Sequence, residues 1–245
     1  MANWSDPRIG GAPHVATGAG TTDVAFDAGL RSYMLSVYNY MASGVLLTGV
    51  VALLFSQWEG AEAVLFGPGI LKYVIMLSPL AFVMVLSFGI NRLSTGAAQA
   101  LFWAFATVMG VSMASIFFVY TGTSIATTFF ATAAAFVSLS LYGYTTKRDL
   151  SGFGTFLIMG VVGLIVAMLL NLWLQSPALQ MAISAIGVLL FAGLTAYDTQ
   201  KIKSMYAYVA GTDMIGKTVI MGALTLYLDF INMFTFLLQF LGNRE

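Results

Sequence analysis

Cysteine is absent from this 245-residue chain, and histidine occurs once. The first absence removes disulfides, thiolate nucleophiles, iron–sulfur clusters and cysteine-held zinc. The second is nearly as restrictive. His14 stands alone in a polar N-terminal stretch and reads as a solvated residue, which leaves no histidine zinc site, haem ligation or Ser-His-Asp catalysis. Charge is also scarce: 8% of residues are Asp, Glu, Lys or Arg, where a soluble domain carries roughly a quarter. Ten basic and ten acidic residues cannot coat a water-soluble fold of this size. They also cancel, so no net charge draws nucleic acid or an acidic partner.

What is abundant is apolar, at 59% of the chain, and it is gathered into runs. These runs lie near 34–55, 71–90, 99–120, 125–144, 153–174, 178–197 and 219–241. At about 20 residues each they match a hydrocarbon core of about 30 Å crossed by α-helices. The expected fold is an all-α integral membrane protein, a bundle of seven transmembrane helices over residues 34–245 whose first partner is the lipid bilayer. Residues 1–33 mix Gly, Ala, Thr, Pro and Asp and read as a flexible cytoplasmic tail with no cleavable signal peptide. The connections are short apart from 198–218, so the helices pack as antiparallel neighbours in one domain. Small residues at Gly160, Gly163 and Ala167, and at Ser184, Gly187 and Ala192, would permit close helix contact.

Orientation follows from positive charge, which cytoplasmic loops retain. One side carries Arg8, Arg31, Arg92, Lys147, Arg148, Lys201, Lys203 and Lys217; the other carries Lys72 and Arg244. The N-terminus is expected in the cytoplasm, and seven crossings put the C-terminus outside.

Two acids resist a purely compositional explanation. Asp229 lies about ten residues into the last span, about 15 Å deep. An aspartate there costs about 2.5–3.5 kcal/mol even on the lower insertion scales, so it should face the bundle interior, a partner or water. Asp198, in FAGLTAYDTQKIK, closes the sixth span with Lys201 at i+3 on its face, and as a helix-end ion pair it needs no function. The combination of both acids on consecutive antiparallel helices is what draws attention. Carboxylates that approach cannot both ionise cheaply and titrate as a coupled unit, a proton sensor. When ionised they are hard oxygen ligands suited to weak Ca²⁺ binding, although Ca²⁺ takes six to eight oxygens. By a straight count Asp198 lies near the interface and Asp229 near the midplane. A sixth helix continuing past Asp198 through Met205 would bring them level. Arg92, closing the second span, is a candidate latch for Asp198 that protonation would release; its plainer role is a positive-inside anchor. Asn39, Asn171 and Gln239 read as interhelical hydrogen-bonding residues, whereas Asn232, at i+3 from Asp229, could orient its carboxyl.

The segments AYDTQKIK and LTLYLDFINMFTFLLQFLG, with the opening LRSYMLSVYNYMASGVLLTGVVA, resemble the Bax inhibitor-1 (transmembrane Bax inhibitor motif) family in its bacterial branch, from Leu30 onward. The resemblance implies a seven-helix bundle with its last helix central, in a bacterial inner membrane, and a pH-sensitive calcium leak rather than an enzyme. It maps the family's paired aspartates onto Asp198 and Asp229 and its second-helix arginine onto Arg92. It implies Ca²⁺ and protons as partners, no cofactor and, for bacterial members, regulation of a membrane-bound ATP-dependent protease without channel activity as the alternative.

Other readings of the acids fail locally. A presenilin-type aspartyl protease places Gly-x-Gly before its second aspartate, where this chain has Leu226-Tyr227-Leu228, and its Pro-Ala-Leu should follow that aspartate, whereas Pro177-Ala178-Leu179 precedes both. A retinal protein needs a Schiff-base lysine that the last span lacks. A proton-coupled transporter would use the same acids, but no repeated half is visible.

Overall fold

Residues 17–243 are described by the structure, a computed structural model, with side-chain surroundings from Ala25 onward. The helices are α1 (Thr17–Ser56), α2 (Ala61–Phe66), α3 (Leu71–Gly89), α4 (Thr95–Met113), α5 (Gly122–Thr145), α6 (Ser151–Leu174), α7 (Pro177–Val209) and α8 (Ile215–Leu241), and a 3₁₀ turn at Ala114–Phe118 extends α4. Among the described residues, seven of these helices are long and apolar enough to cross a membrane, and the short α2 is not. The protein is a multi-pass, all-α integral membrane protein.

Local chemistry sets the helix starts. Ser94 accepts a hydrogen bond from the Ala97 amide, Thr121 from Ser124 and Ser176 from Leu179, each satisfying a donor that a first turn leaves unpaired. Pro177 follows Ser176 at the first turn of α7, where its missing N–H costs nothing. Gln175 ends α6 in the left-handed region with φ 46°. At that turn Asn171 accepts from the Ser176 amide.

Two boundaries differ from the sequence expectation. The tail read over 1–33 divides: residues 1–16, with His14 and Arg8, lie outside the described residues, whereas 17–33 are helical and continuous with the first span. Phe26, Leu30 and Tyr33 repeat at helical spacing. Phe26 and Tyr33 pack against Tyr206 of α7, with ring centroids 5.0 and 5.4 Å apart, and polar neighbours disguise that stripe. The long connection expected over 198–218 is also mostly helix. α7 runs on to Val209 because Ile202 and Tyr206 keep an apolar face buried while Lys201 and Met205 point away, so the α7–α8 connection is only 210–214.

α8 packs against α1, α4, α5 and α7. Its most apolar window is 72% buried, against 11–33% for the other spans, which spend most of their surface on lipid. Buried positions cover most of α8, and the half-buried Met221, Thr225, Leu228, Asn232, Thr235 and Gln239 recur at helical spacing as one mostly polar stripe.

Candidate functional site

The α7–α8 hairpin decides where the acids sit. Asp198 stands eleven residues before the end of α7, about 16 Å along the axis, and Asp229 fourteen residues into α8, about 21 Å. Antiparallel helices joined by a tight turn therefore carry the two acids at similar depth, and their carboxyl groups come within hydrogen-bonding reach. Such a bond between carboxyls requires one proton to be shared. Asp229 is 4% exposed, and its Oδ2 is a buried atom with no hydrogen-bond partner. Asp198 is half-buried, one turn before the exposed Lys201.

Nearby hydroxyls and amides do not pair with that oxygen, because they are turned to their own helices. Thr195 donates to the Phe191 carbonyl, Thr225 to Met221 and Asn232 to Leu228. Asn232 thus does not orient Asp229 in this conformation. Lys201 acts on Asp198 electrostatically from the next turn, while its ammonium lies 5.9 Å over the Tyr197 ring. Arg92 is exposed beyond α3 and makes no ion pair with any described residue, so the expected latch partners are not together here. Among the described residues no three His, Asp or Glu side chains gather as a metal site; two carboxylates supply only part of the oxygen shell that Ca²⁺ takes. That donor set suits a passing or weakly held ion.

The structure adds residues that the sequence did not single out. Thr48 of α1 donates to the Ala106 carbonyl of α4 at 2.8 Å and sits 2.6 Å from the Tyr227 hydroxyl of α8. Because the one threonine proton goes to Ala106, Tyr227 is the donor in the second bond. This fully buried tie fixes α8 two residues before Asp229. On the α7 side, Thr199 donates to Ser140 of α5 at 3.2 Å, one residue after Asp198. Farther along, Asn171, Gln180, Ser184 and Gln239 join α6, α7 and α8 by side-chain hydrogen bonds, the interhelical role expected of Asn171 and Gln239. Asn39 is exposed instead.

Comparison with known proteins reaches the same region of the chain. The profile of the family described as Inhibitor of apoptosis-promoting Bax1 matches residues 30–245. A Rickettsia prowazekii protein, RP147, is 51% identical across 90% of this chain and 93% of its own length. The inner membrane protein YbhL of Escherichia coli K12 is 48% identical, covering 89% and 94% respectively. A Caulobacter vibrioides relative is 45% identical over 93% of this chain and 95% of its own.

Proposed function

This chain belongs to the Bax inhibitor-1 family, and from that premise we propose that it is a pH-sensitive calcium-leak channel of the bacterial inner membrane, gated by the Asp198–Asp229 pair. The observation that carries the proposal is the buried Asp229 carboxyl, with one oxygen unpartnered, facing a second carboxyl across the α7–α8 hairpin. A group so costly to insert is retained for use more readily than for stability, since an apolar residue of similar volume would pack there without the desolvation cost. Protonation and deprotonation of the pair change the charge at the midplane, and that charge decides whether a divalent cation is attracted or refused.

Arg92 enters as the latch of another conformation. Its guanidinium would hold ionised Asp198 and release it on protonation. The positive-charge bias places the N-terminus, Arg92 and the α7–α8 turn on the cytoplasmic side. Arg92→Ala is expected to raise flux at the neutral end of the pH range and flatten the profile; a variant as closed and as acid-responsive as wild type removes Arg92 from the mechanism.

A second reading, a non-channel regulator of a membrane-bound ATP-dependent protease, draws support from the sparse donor set around the two acids. Vesicles loaded with a calcium dye separate the two. Flux above that of empty vesicles supports the leak. Its absence, together with co-purification of a protease complex that neither Asp198→Asn nor Asp229→Asn disturbs, supports the regulator.

A further inference from the structure

Away from the paired acids, a long hollow lies between α1 and α5. It is a cavity of about 840 Å³ with α8 contributing Phe230. Met34, Met41, Phe136 and Phe230 are buried along it, while Leu35, Leu46, Val137 and Leu141 are exposed at its edges, so it opens sideways toward lipid. It runs from Arg31 to Leu46 on one wall and from Tyr144 to Phe129 on the other, about 22 Å along each helix. A smaller hollow of about 290 Å³ shares Val45, Phe129 and Phe230 and continues it toward Phe117 and Gly122.

The two ends of the larger hollow differ in chemistry. Its far stretch is aromatic and aliphatic. At the near end Arg31 is exposed and lines the opening, with Asp27 one turn away but making no ion pair with it. Tyr144 lines the same end, and Lys203 of α7 is fixed to it, donating to the Tyr144 carbonyl at 2.7 Å with its ammonium 4.8 Å over the ring. Lys147 and Arg148 follow immediately after α5 and are exposed.

We propose that the α1–α5 crevice is a binding site for an anionic phospholipid, with an acyl chain against Met41, Phe136 and Phe230 and the headgroup phosphate at Arg31 and Lys203. Charge complementarity selects the headgroup, since each basic side chain at an anionic surface adds favourable interaction that a zwitterionic lipid does not return. The crevice selects the chain: lipid that fills it gains contacts on both walls and beneath, whereas lipid on a convex helix face gains them on one side. This assignment requires only that the protein spans the membrane and does not depend on leak activity.

The test uses the full chain in nanodiscs, with a phosphatidylglycerol carrying a photoactivatable diazirine on its acyl chain and a phosphatidylcholine bearing the same chain. Peptide mapping after irradiation is expected to concentrate the phosphatidylglycerol label on α1 and α5 around Val45, Phe129 and Val137, with the phosphatidylcholine label spread over all lipid-facing helices. Arg31→Gln combined with Lys203→Gln should reduce crevice labelling by at least about fivefold. Arg31→Lys should retain it. Val137→Trp, at the exposed edge, should displace the chain with the charges left intact. The proposal is overturned if both lipids label the exposed faces evenly, if removing the charges changes nothing, or if cross-linking shows a second copy of the chain seated in the crevice.

Discussion

Asp229 shows how much one side chain can disclose. Its depth in an apolar run makes it conspicuous from the sequence alone, because the cost of inserting a carboxylate depends on little besides position. Asp198 is not legible in this way: beside Lys201 it looks like an ordinary helix-end ion pair, and only the resemblance and then the length of α7 bring it to Asp229. The Thr48–Tyr227 tie is not legible at all, because common residues 179 positions apart carry no local signal. Its chemistry is asymmetric. Tyr227→Phe removes one donor and leaves Thr48 bonded to Ala106, which should cost about 1 kcal/mol. Thr48→Val strands both the buried Tyr227 hydroxyl and the Ala106 carbonyl contact, which should cost about 2–3 kcal/mol. Thermal unfolding in detergent ranks the two variants, and equal losses would contradict this assignment of donors. Asp149 provides the contrast to the paired acids. Hydrogen bonds from Ser151, by side chain and by backbone at 2.9 Å, hold this exposed carboxyl below its usual value. Its contribution is therefore present above the ordinary carboxylate range and lost only as pH falls through the lowered value. Across about pH 5 to 8 it stays ionised and cannot supply an acid response.

Helices are legible where their chemistry is uniform. The seven apolar runs announce seven crossings, and the differences arise where polar residues share a helix with a buried stripe. α7 is the clearest case: Asp198, Gln200, Lys201 and Lys203 end the apolar run, yet the helix continues for another turn and more on the packing of Ile202 and Tyr206. Small residues are a weaker guide. A side chain at Gly143 would collide with the Ala196 carbonyl of α7, a backbone atom that cannot swing aside, whereas one at Gly163 would meet nothing within 4 Å. Gly143→Ala should thus separate α5 from α7 and destabilise the protein by about 1–3 kcal/mol, while Gly163→Ala should be neutral or slightly stabilising. Equal melting behaviour of the two variants would mean that α5 and α7 are not packed this closely. Sequence spacing alone puts Gly163 among the contact residues and misses Gly143, because which glycine faces a neighbour depends on helix rotation.

Seen entire, the molecule is a membrane bundle whose least lipid-exposed helix carries its most expensive residue. The natural lack of cysteine makes its topology accessible to single introduced thiols. With the N-terminus in the cytoplasm, Glu59→Cys should react with an impermeant maleimide on intact cells, and Asp149→Cys only after permeabilisation. The reverse pattern would invert the orientation and the side from which protons reach the pair. The most direct test of a coupled acid gate is calcium flux into dye-loaded vesicles, followed over about pH 5 to 8 for wild type, Asp198→Asn, Asp229→Asn, the double variant and Asp149→Asn. A coupled gate gives a pH-dependent flux that substitution of either paired acid flattens, a double variant no flatter than either single one, and an unchanged profile for Asp149→Asn. Wild-type pH dependence in both single variants, or effects that simply add in the double, would contradict it.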